Sequence, residues 1–522
     1  MEDTTEQSML QVPKFLASVR ISVRSTGLWL LGLPLLAIGP ALLLIVAQDF
    51  DGLYGQDSYA YFDYALGPLR ENLMALRRPP PFFWPPGYPL LVALTSFLPL
   101  AGLQAGQLVS LLGGGLVPVA TALLAREVWV GDDPSNGSLV PPLAGLLTAL
   151  NGQLWQSSMV VMADTLGLAA GTLGMLALAR YGRQRQARWL SLAAGALAWA
   201  VLTRWGYALV AVPATLYALW LLKCVDKRTA LAHGGAALLI AVAILWPLLQ
   251  PTLAVLFAPP DGAVAFAGSL RFHTWQPQNA FRHEFVTPDG VLRYRLPNGL
   301  YYALVPARSF YLTPLLLALA VPGAWSVLRR PRAAALLLLA GWVGIVYTFH
   351  AGSPIQNVRF TLAYLPPLAI LVAIGAEAVA RQAGGRWRGM LVALLLAGLA
   401  WMAIGGLLLT HGFVERAQRS KAMIPWVESL VPADAHLLTF GMSLTFEHES
   451  RLDVHELYFM GVEEMVAVLR GEGPTYVLLD VANVEAQWQG KPPADNYRWL
   501  QASPGLAEIG SRDGYTLFRV DE

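Results

Sequence analysis

Eleven apolar stretches, each close to the length of a bilayer-crossing helix, constrain this chain more than any other feature. A spanning helix needs roughly 20 apolar residues. Such stretches lie near 28–47, 104–125, 139–158, 164–181, 189–203, 206–222, 232–257, 310–328, 333–350, 360–380 and 389–411. The fifth and sixth are short and share a polar break at Thr203-Arg204. Of the 522 residues, 55% are hydrophobic and 13% charged, where soluble domains carry about 25% charged residues. The expected fold class is therefore an α-helical polytopic membrane protein with about eleven transmembrane helices. A net charge of +2 gives no argument for a nucleic-acid partner. The single cysteine, Cys224, excludes an internal disulfide and a cysteine-rich metal site.

Basic residues orient the spans. Arginine and lysine collect in cytoplasmic loops beside span ends. One set of connections holds Lys14, Arg20 and Arg24; Arg126; Arg183, Arg185 and Arg188; Lys223, Lys227 and Arg228; Arg329, Arg330 and Arg332; Arg381, Arg386 and Arg388. The alternate set is longer and poorer in basic residues. This predicts a cytoplasmic N-terminus, with loop 48–103, turn 158–164, loop 258–309, turn 350–359 and the C-terminal domain outside. The first 26 residues lack the apolar core and cleavage site of a signal peptide, so the first span is expected to stay as an anchor.

Three regions follow: a cytoplasmic segment over 1–27, a transmembrane domain over 28–411, and a soluble extracytoplasmic domain over 412–522. In the last, strand-like runs at His436–Phe440, Tyr476–Val481 and Tyr515–Val520 alternate with helical patterns near Glu463–Arg470 and Asp495–Gln501. That pattern predicts a small α/β domain. It has no phosphate-binding glycine motif and no nucleophile elbow. Segment 88–100, apolar but too short to span, follows Pro85-Pro86-Gly87 and reads as an interfacial helix. The Gly167/Gly171 pair and the Gly113–Gly115 run read as close helix contacts, and Asn136-Gly137-Ser138 as a cytoplasmic turn.

The chemistry gathers after the first span. The stretch QDFDGLYGQDSYAYFDYALG sets Asp49, Asp51, Asp57 and Asp63 among tyrosines. A carboxylate at a membrane surface is costly without a partner or a task. Asp57 either caps the helix SYAYFDYAL or acts as a base. Asp63 reads as a solvated face of that helix, and Asp49 and Asp51 as interfacial. Asp164, which opens the fourth span, either caps it or faces Asp57. Arg204, Arg271, Arg308 and Arg359 all fall at or near span ends on the predicted outer side, where each either snorkels to headgroups or meets an anion. Arg77 and Arg78 have the same two readings.

Five motifs in order, QDSYAYFDYA, PPFFWPPGYPLLVAL, MVVMADTLG, LTRWGYALV and NVRFTLAYLPPLAIL, resemble the GT-C glycosyltransferases. The likeness is to the branch with protein O-mannosyltransferases and the lipid A aminoarabinose transferase, and it covers about residues 28–380. It implies a membrane glycosyltransferase of the cell envelope, in the inner or plasma membrane. The donor would be a polyprenyl-phosphate sugar, and the acceptor a lipid, glycan or protein at the outer face. It implies Asp57 as catalytic base and Asp164 as the second acidic residue. Arg359, Arg204, Arg271 and Arg308 become candidates for the donor phosphate, and Tyr59, His273 and Tyr301 for substrate contacts. Elementary chemistry agrees: an acceptor hydroxyl needs a base, and a departing phosphate needs fixed cations.

Trp84 before the PPxYP element, and Gln56-Asp57 in place of paired acids, depart from the family pattern. They leave open whether a divalent ion joins Asp57 and Asp164. His283-Glu284 matches no metal spacing. Glu447-His448-Glu449 and His455-Glu456 read as strand alternation with solvated charges. The rival class is a transporter or flippase of lipid-linked substrates, which calls for ionisable residues deep within spans or inverted repeats; neither is evident in the sequence.

Overall fold

The computed structural model describes residues 26–99, 102–130, 138–257, 274–329 and 332–521. Among them, seven helices are long and apolar enough to cross a membrane: Trp29–Ala47, Ala105–Val130, Trp205–Lys223, Lys227–Gln250, Ala333–Gly352, Val358–Gln382 and Gly385–Glu428. An eighth span results if Gly152–Met159 and Asp164–Gln184, bent by 120°, are taken together. Val140–Ala149, Ala187–Thr203 and Thr313–Arg329 are shorter apolar helices. The chain is a multi-pass membrane protein. Val358–Gln382 is the most enclosed of the seven and Lys227–Gln250 the most peripheral. The N-terminal segment to residue 25, residues 136 and 137 of the sequon, and the loop over 258–273 lie outside the described residues.

Two expected spans are corrected. The stretch 139–158 is two helices, Val140–Ala149 and Gly152–Met159. The Asn151 side chain accepts a hydrogen bond from the Leu154 backbone N–H at 3.0 Å, which caps a new helix. The chain then crosses the acidic loop, where the Val161 N–H bonds the Gly52 carbonyl at 2.9 Å. Asp164 opens the next helix beside that loop. The expected span 310–328 is likewise two helices, Thr313–Ala318 and Ala320–Arg329.

Small residues hold the start of the Asp164 helix in place. A Cβ on Gly113 would lie 2.7 Å from the Leu166 nitrogen, and one on Gly167 would lie 2.4 Å from the Tyr207 ring. These backbones therefore approach as closely as the glycine pattern suggested. The Tyr207 hydroxyl donates to the Asp164 carbonyl at 2.8 Å, and the Thr165 hydroxyl to the Ser110 carbonyl at 2.7 Å.

In loop 48–103 a helix runs over Gly55–Tyr64 and another over Gly87–Thr95, shorter than the expected 88–100. The second packs inward through Tyr88, whose hydroxyl donates to the Gly106 carbonyl at 3.0 Å. The last long helix continues past Gly412 to Lys421. The tail then forms a five-stranded sheet. With β1 Glu284–Thr287 and β2 Gly290–Arg293 forming an earlier hairpin, its strands are β3 His436–Thr439, β4 Asp453–Glu456, β5 Thr475–Leu479, β6 Leu506–Arg512 and β7 Tyr515–Val520. Their order is β4-β3-β5-β7-β6, parallel across β4-β3-β5 and antiparallel beyond. The three strand-like runs of the sequence fall on β3, β5 and β7. His455-Glu456, read as strand alternation, falls on β4; β6 carries no alternation strong enough to announce it.

Candidate active site

Four segments far apart in sequence converge at the end of the bundle that carries the tail domain. Asp57 sits in the first turn of Gly55–Tyr64, yet that helix has no side-chain cap at Tyr54, and the Ser58 hydroxyl takes the local bond from the Tyr54 N–H at 2.6 Å. Asp164 likewise follows an N-cap, Ala163, with no side-chain bond. Neither carboxylate is needed as a helix cap. Arg204 is the extended residue between Ala187–Thr203 and the turn Trp205–Tyr207. Arg359 follows Asn357, whose side chain accepts from the Arg359 N–H at 2.9 Å.

The four side chains form a chain of charge. Arg204 is paired with Asp164 Oδ1. Arg359 Nη2 lies 3.3 Å from Asp57 Oδ2, and Arg359 Nε lies 3.6 Å from Asp164 Oδ2. Neither that Nε nor that Oδ2 has a hydrogen-bond partner although both are buried, so the centre of the group keeps unspent polar capacity. Two anions and two cations balance formally. The Asp164 side chain is 5% exposed and the Asp57 side chain 38%. Asp57 is thus the carboxylate that an entering molecule reaches, and Asp164 the buried counter-charge that holds two guanidinium groups. With each carboxylate already opposite a guanidinium, the pair leaves no net negative charge for a dication.

Aromatic rings wall the group. The Phe360 ring centroid is 5.8 Å from the Arg204 guanidinium and 5.9 Å from that of Arg359. His350 stacks on Phe360 at 5.0 Å and leans on Tyr302 at 5.4 Å. Tyr61 is within electrostatic reach of all four charges, and burial pushes its phenol up, so it stays protonated. It stacks with Trp84 at 6.2 Å and meets Tyr88 edge-on at 5.4 Å. The Arg359 turn is clamped from loop 258–309. The Tyr302 hydroxyl donates to the Ile355 carbonyl at 2.7 Å, and Gln356 Nε2 donates to Asn298 Oδ1 at 2.8 Å.

Other sequence candidates lie elsewhere. Arg308 is exposed, over the rings of Tyr301 and Phe310 at 5.8 and 5.9 Å, and joins no part of the quartet. Tyr301 meets Tyr302 edge-on at 5.1 Å. Arg271 and His273 fall outside the described residues. Tyr59 meets the tail, its hydroxyl donating to Glu449 Oε1 at 3.4 Å. Charges expected to be solvated or interfacial have partners, and one strand reading is corrected. Asp63 accepts from His448 Nδ1 at 2.7 Å, and Asp51 is paired with Lys421. Residues 447–449 belong to a helix, Ser443–Glu449, not a strand. Glu456, on β4, accepts from Gln56 Nε2 at 3.2 Å. Sequence reading passed over Tyr61, His350 and Phe360. Tyr61 was nonetheless legible, because it lies one helical turn from Asp57 and shares its face.

Neither a protein-family model nor a curated protein matches this chain. Solved structures do. ArnT from Cupriavidus metallidurans, determined bound to undecaprenyl phosphate, superposes with a TM-score of 0.57 at 15% identity, over 92% of this chain and 96% of that one. The oligosaccharyltransferase AglB from Archaeoglobus fulgidus, determined with an inhibitory peptide and a dolichol-phosphate, gives 0.55 at 13% identity, over 95% of this chain and 75% of that one. The chain has the fold of these membrane proteins, the GT-C architecture that its ordered motifs resemble.

Proposed function

We propose that this protein is a membrane glycosyltransferase that moves a sugar from a polyprenyl-phosphate donor to an acceptor at the extracytoplasmic face. The observation that carries the reading is the meeting of Asp57, Asp164, Arg204 and Arg359 in one cluster beside aromatic rings. The shared fold supports it, since ArnT and AglB were captured with polyprenyl phosphates.

In the proposed step, the acceptor oxygen attacks the anomeric carbon from the face opposite the phosphate. Its proton passes to the Asp57 carboxylate. The carbon–oxygen bond to phosphate breaks, and its electron pair stays on the phosphate oxygen. The sugar passes through an oxocarbenium-like state, and one displacement inverts the anomeric centre. Arg359 and Arg204 hold the departing phosphate, and Asp164 keeps both guanidinium groups aimed. Tyr61 is the neutral donor at the edge of the pocket. The reading needs no metal ion and no nucleotide. It places the N-terminus in the cytoplasm and the tail domain outside the cell membrane. Arg308 and Tyr301 carry no step in it.

The test is turnover in detergent with a radiolabelled polyprenyl-phosphate sugar. Transfer releases free polyprenyl phosphate; a transporter or flippase releases none. Asp57→Asn is expected to lower turnover about 10²–10⁴-fold, the usual worth of a positioned base, while donor binding stays near wild type. Wild-type turnover by Asp57→Asn would remove Asp57 from the mechanism.

A further inference from the structure

We propose that the outer edge of the tail sheet is a binding site for a transition-metal dication of the zinc class, built from His436, Asp453 and His455. The inference is independent of the transferase reading. Asp453 and His455 are two apart on β4 and so share one face of the sheet. His436, at the start of β3, is in register with Asp453. His436 Nδ1 lies 2.7 Å from Asp453 Oδ2, His455 Nε2 lies 3.2 Å from the same oxygen, and the two ring nitrogens are 3.3 Å apart. Among the described residues, no other three His, Cys, Asp or Glu side chains converge in this way.

The tautomer of His436 carries the argument. Its Nε2 lies 2.9 Å from the Glu472 carbonyl, which can only accept, so Nε2 holds the ring proton. A neutral His436 therefore turns the lone pair of Nδ1 toward a carboxylate oxygen and a second imidazole nitrogen. With His455 in the tautomer that leaves Nε2 unprotonated, three electron-rich atoms face one another, and a dication between them serves all three. Zinc bonds of about 2.0–2.1 Å in a tetrahedron put neighbouring ligand atoms roughly 3.3 Å apart. The two contacts of His455 Nε2, at 3.2 and 3.3 Å, have that spacing, while His436 Nδ1 and Asp453 Oδ2, at 2.7 Å, must move apart to admit the ion. The backbone carbonyl on the far ring nitrogen is also the usual outer partner that orients a metal-bound histidine. Two imidazoles and one carboxylate are a donor set for zinc and its neighbours, not for calcium or magnesium. The Asp453 side chain is 61% exposed, which leaves the remaining coordination position to water and lets the ion exchange with solvent.

The experiment uses the full chain in detergent, free of affinity-tag histidines and stripped with a chelator. Zinc is titrated against a competing indicator, and bound zinc is measured after desalting. The expected result is one equivalent retained by the wild type. His455→Gln and Asp453→Asn should each weaken binding at least tenfold, roughly the low end of a lost metal-site contact, and His448→Gln should leave it unchanged. Cobalt(II) in the wild type alone guards against variants that fail to fold: a visible ligand-field spectrum of a nitrogen-bound, low-coordinate ion is expected. Substoichiometric zinc, equal retention by all variants, or a cobalt spectrum of the hexaaqua ion would each overturn the proposal, leaving a proton-bridged cluster.

Discussion

The helix Gly55–Tyr64 has two faces that manage charge in opposite ways. Asp57 and Tyr61, one turn apart, look into the bundle, where Arg359 opposes Asp57 and the side chain of Asp164 is almost wholly enclosed. Gln56, Tyr59 and Asp63, spaced by three and four, look out to the tail. There Gln56 donates to Ser443 at 2.8 Å and to Glu456 at 3.2 Å, Tyr59 donates to Glu449, and Asp63 accepts from His448. The inner face meets guanidinium groups, which never titrate, around the enclosed Asp164 side chain. The outer face uses neutral amides and one histidine in partial contact with water. The inner face is built for fixed electrostatics, the outer for adjustable docking. Because Gln56 and Asp57 are adjacent, whatever loosens the outer contact moves the inner carboxylate.

The largest expected effect separates the two faces by stability. Asp164→Ala takes the buried carboxylate from Arg204 and leaves Arg359 with Asp57 alone, and breaking a buried charge pair costs about 3–5 kcal/mol. Asp63→Ala removes a half-exposed partner and should cost about 0.2–1 kcal/mol. Thermal unfolding of both variants in one detergent checks this. Equal losses would mean that the quartet is as solvated as the outer face.

Next in size is Arg359→Lys. A lysine keeps the charge but loses the planar fork that reaches two carboxylates and a ring at once. Donor KM should rise about tenfold or more, one charge-assisted bond being worth about 1.5–3 kcal/mol. Arg308→Lys, outside the quartet, should leave it unchanged. A rise with Arg308→Lys alone would move the phosphate site to the Tyr301 wall.

How far the sequence reaches is itself split between these faces. Asp164, Arg204 and Arg359 were legible because each charge sits at the end of an apolar stretch, where it needs a reason; Asp57, one of four aspartates in its loop, was singled out by the family resemblance. Their pairing was not legible, since it depends on the bend at residues 160–163 and on how closely Gly113 and Gly167 let backbones approach. The break had a signal, the polar Asn151-Gly152-Gln153 within the 139–158 stretch, which a reading by apolar length overrode. Tyr59 and Tyr61 look alike in a string; only the helical period sends one to the tail and the other to the pocket. The outer contacts were unreadable for a simpler reason: Gln56 and Glu456 are 400 positions apart. Glu447-His448-Glu449, read as strand but part of helix Ser443–Glu449, shows how acidic and histidine residues lose their meaning without the surface they face.

A smaller effect tests the coupling between faces. Gln56→Ala keeps Asp57 and both arginines but removes the contacts to Ser443, Glu456 and the Leu444 N–H at 3.2 Å. The expected outcome is a fall of about tenfold in kcat, since small misplacement of a reacting group is costly, with donor KM unchanged. Gln56→Glu should not rescue it, because a carboxylate beside Glu456 repels. If kcat holds in Gln56→Ala, the tail is a passenger on the helix and not its support.

The smallest effect is a pH dependence confined to the outer face. The hydrogen bond to Asp63 holds His448 above the ordinary histidine value of 6.5, with burial opposing. A base whose folded pKa is raised contributes its full stability below the ordinary value and loses it as pH rises through the folded one. The contact between Gly55–Tyr64 and the tail should therefore be tightest in mild acid and loosen through the neutral to mildly alkaline range, by no more than a surface pair supplies, about 1 kcal/mol. Hydrogen exchange of the helix backbone at matched chemical exchange rates reads this directly. Protection should fall with rising pH in the wild type and be flat in Asp63→Asn and His448→Gln. The Asp164 helix, whose carboxylate has arginines as its charge partners, should show no such slope; a slope there would mean that the two faces are one electrostatic unit and that their contrast is false.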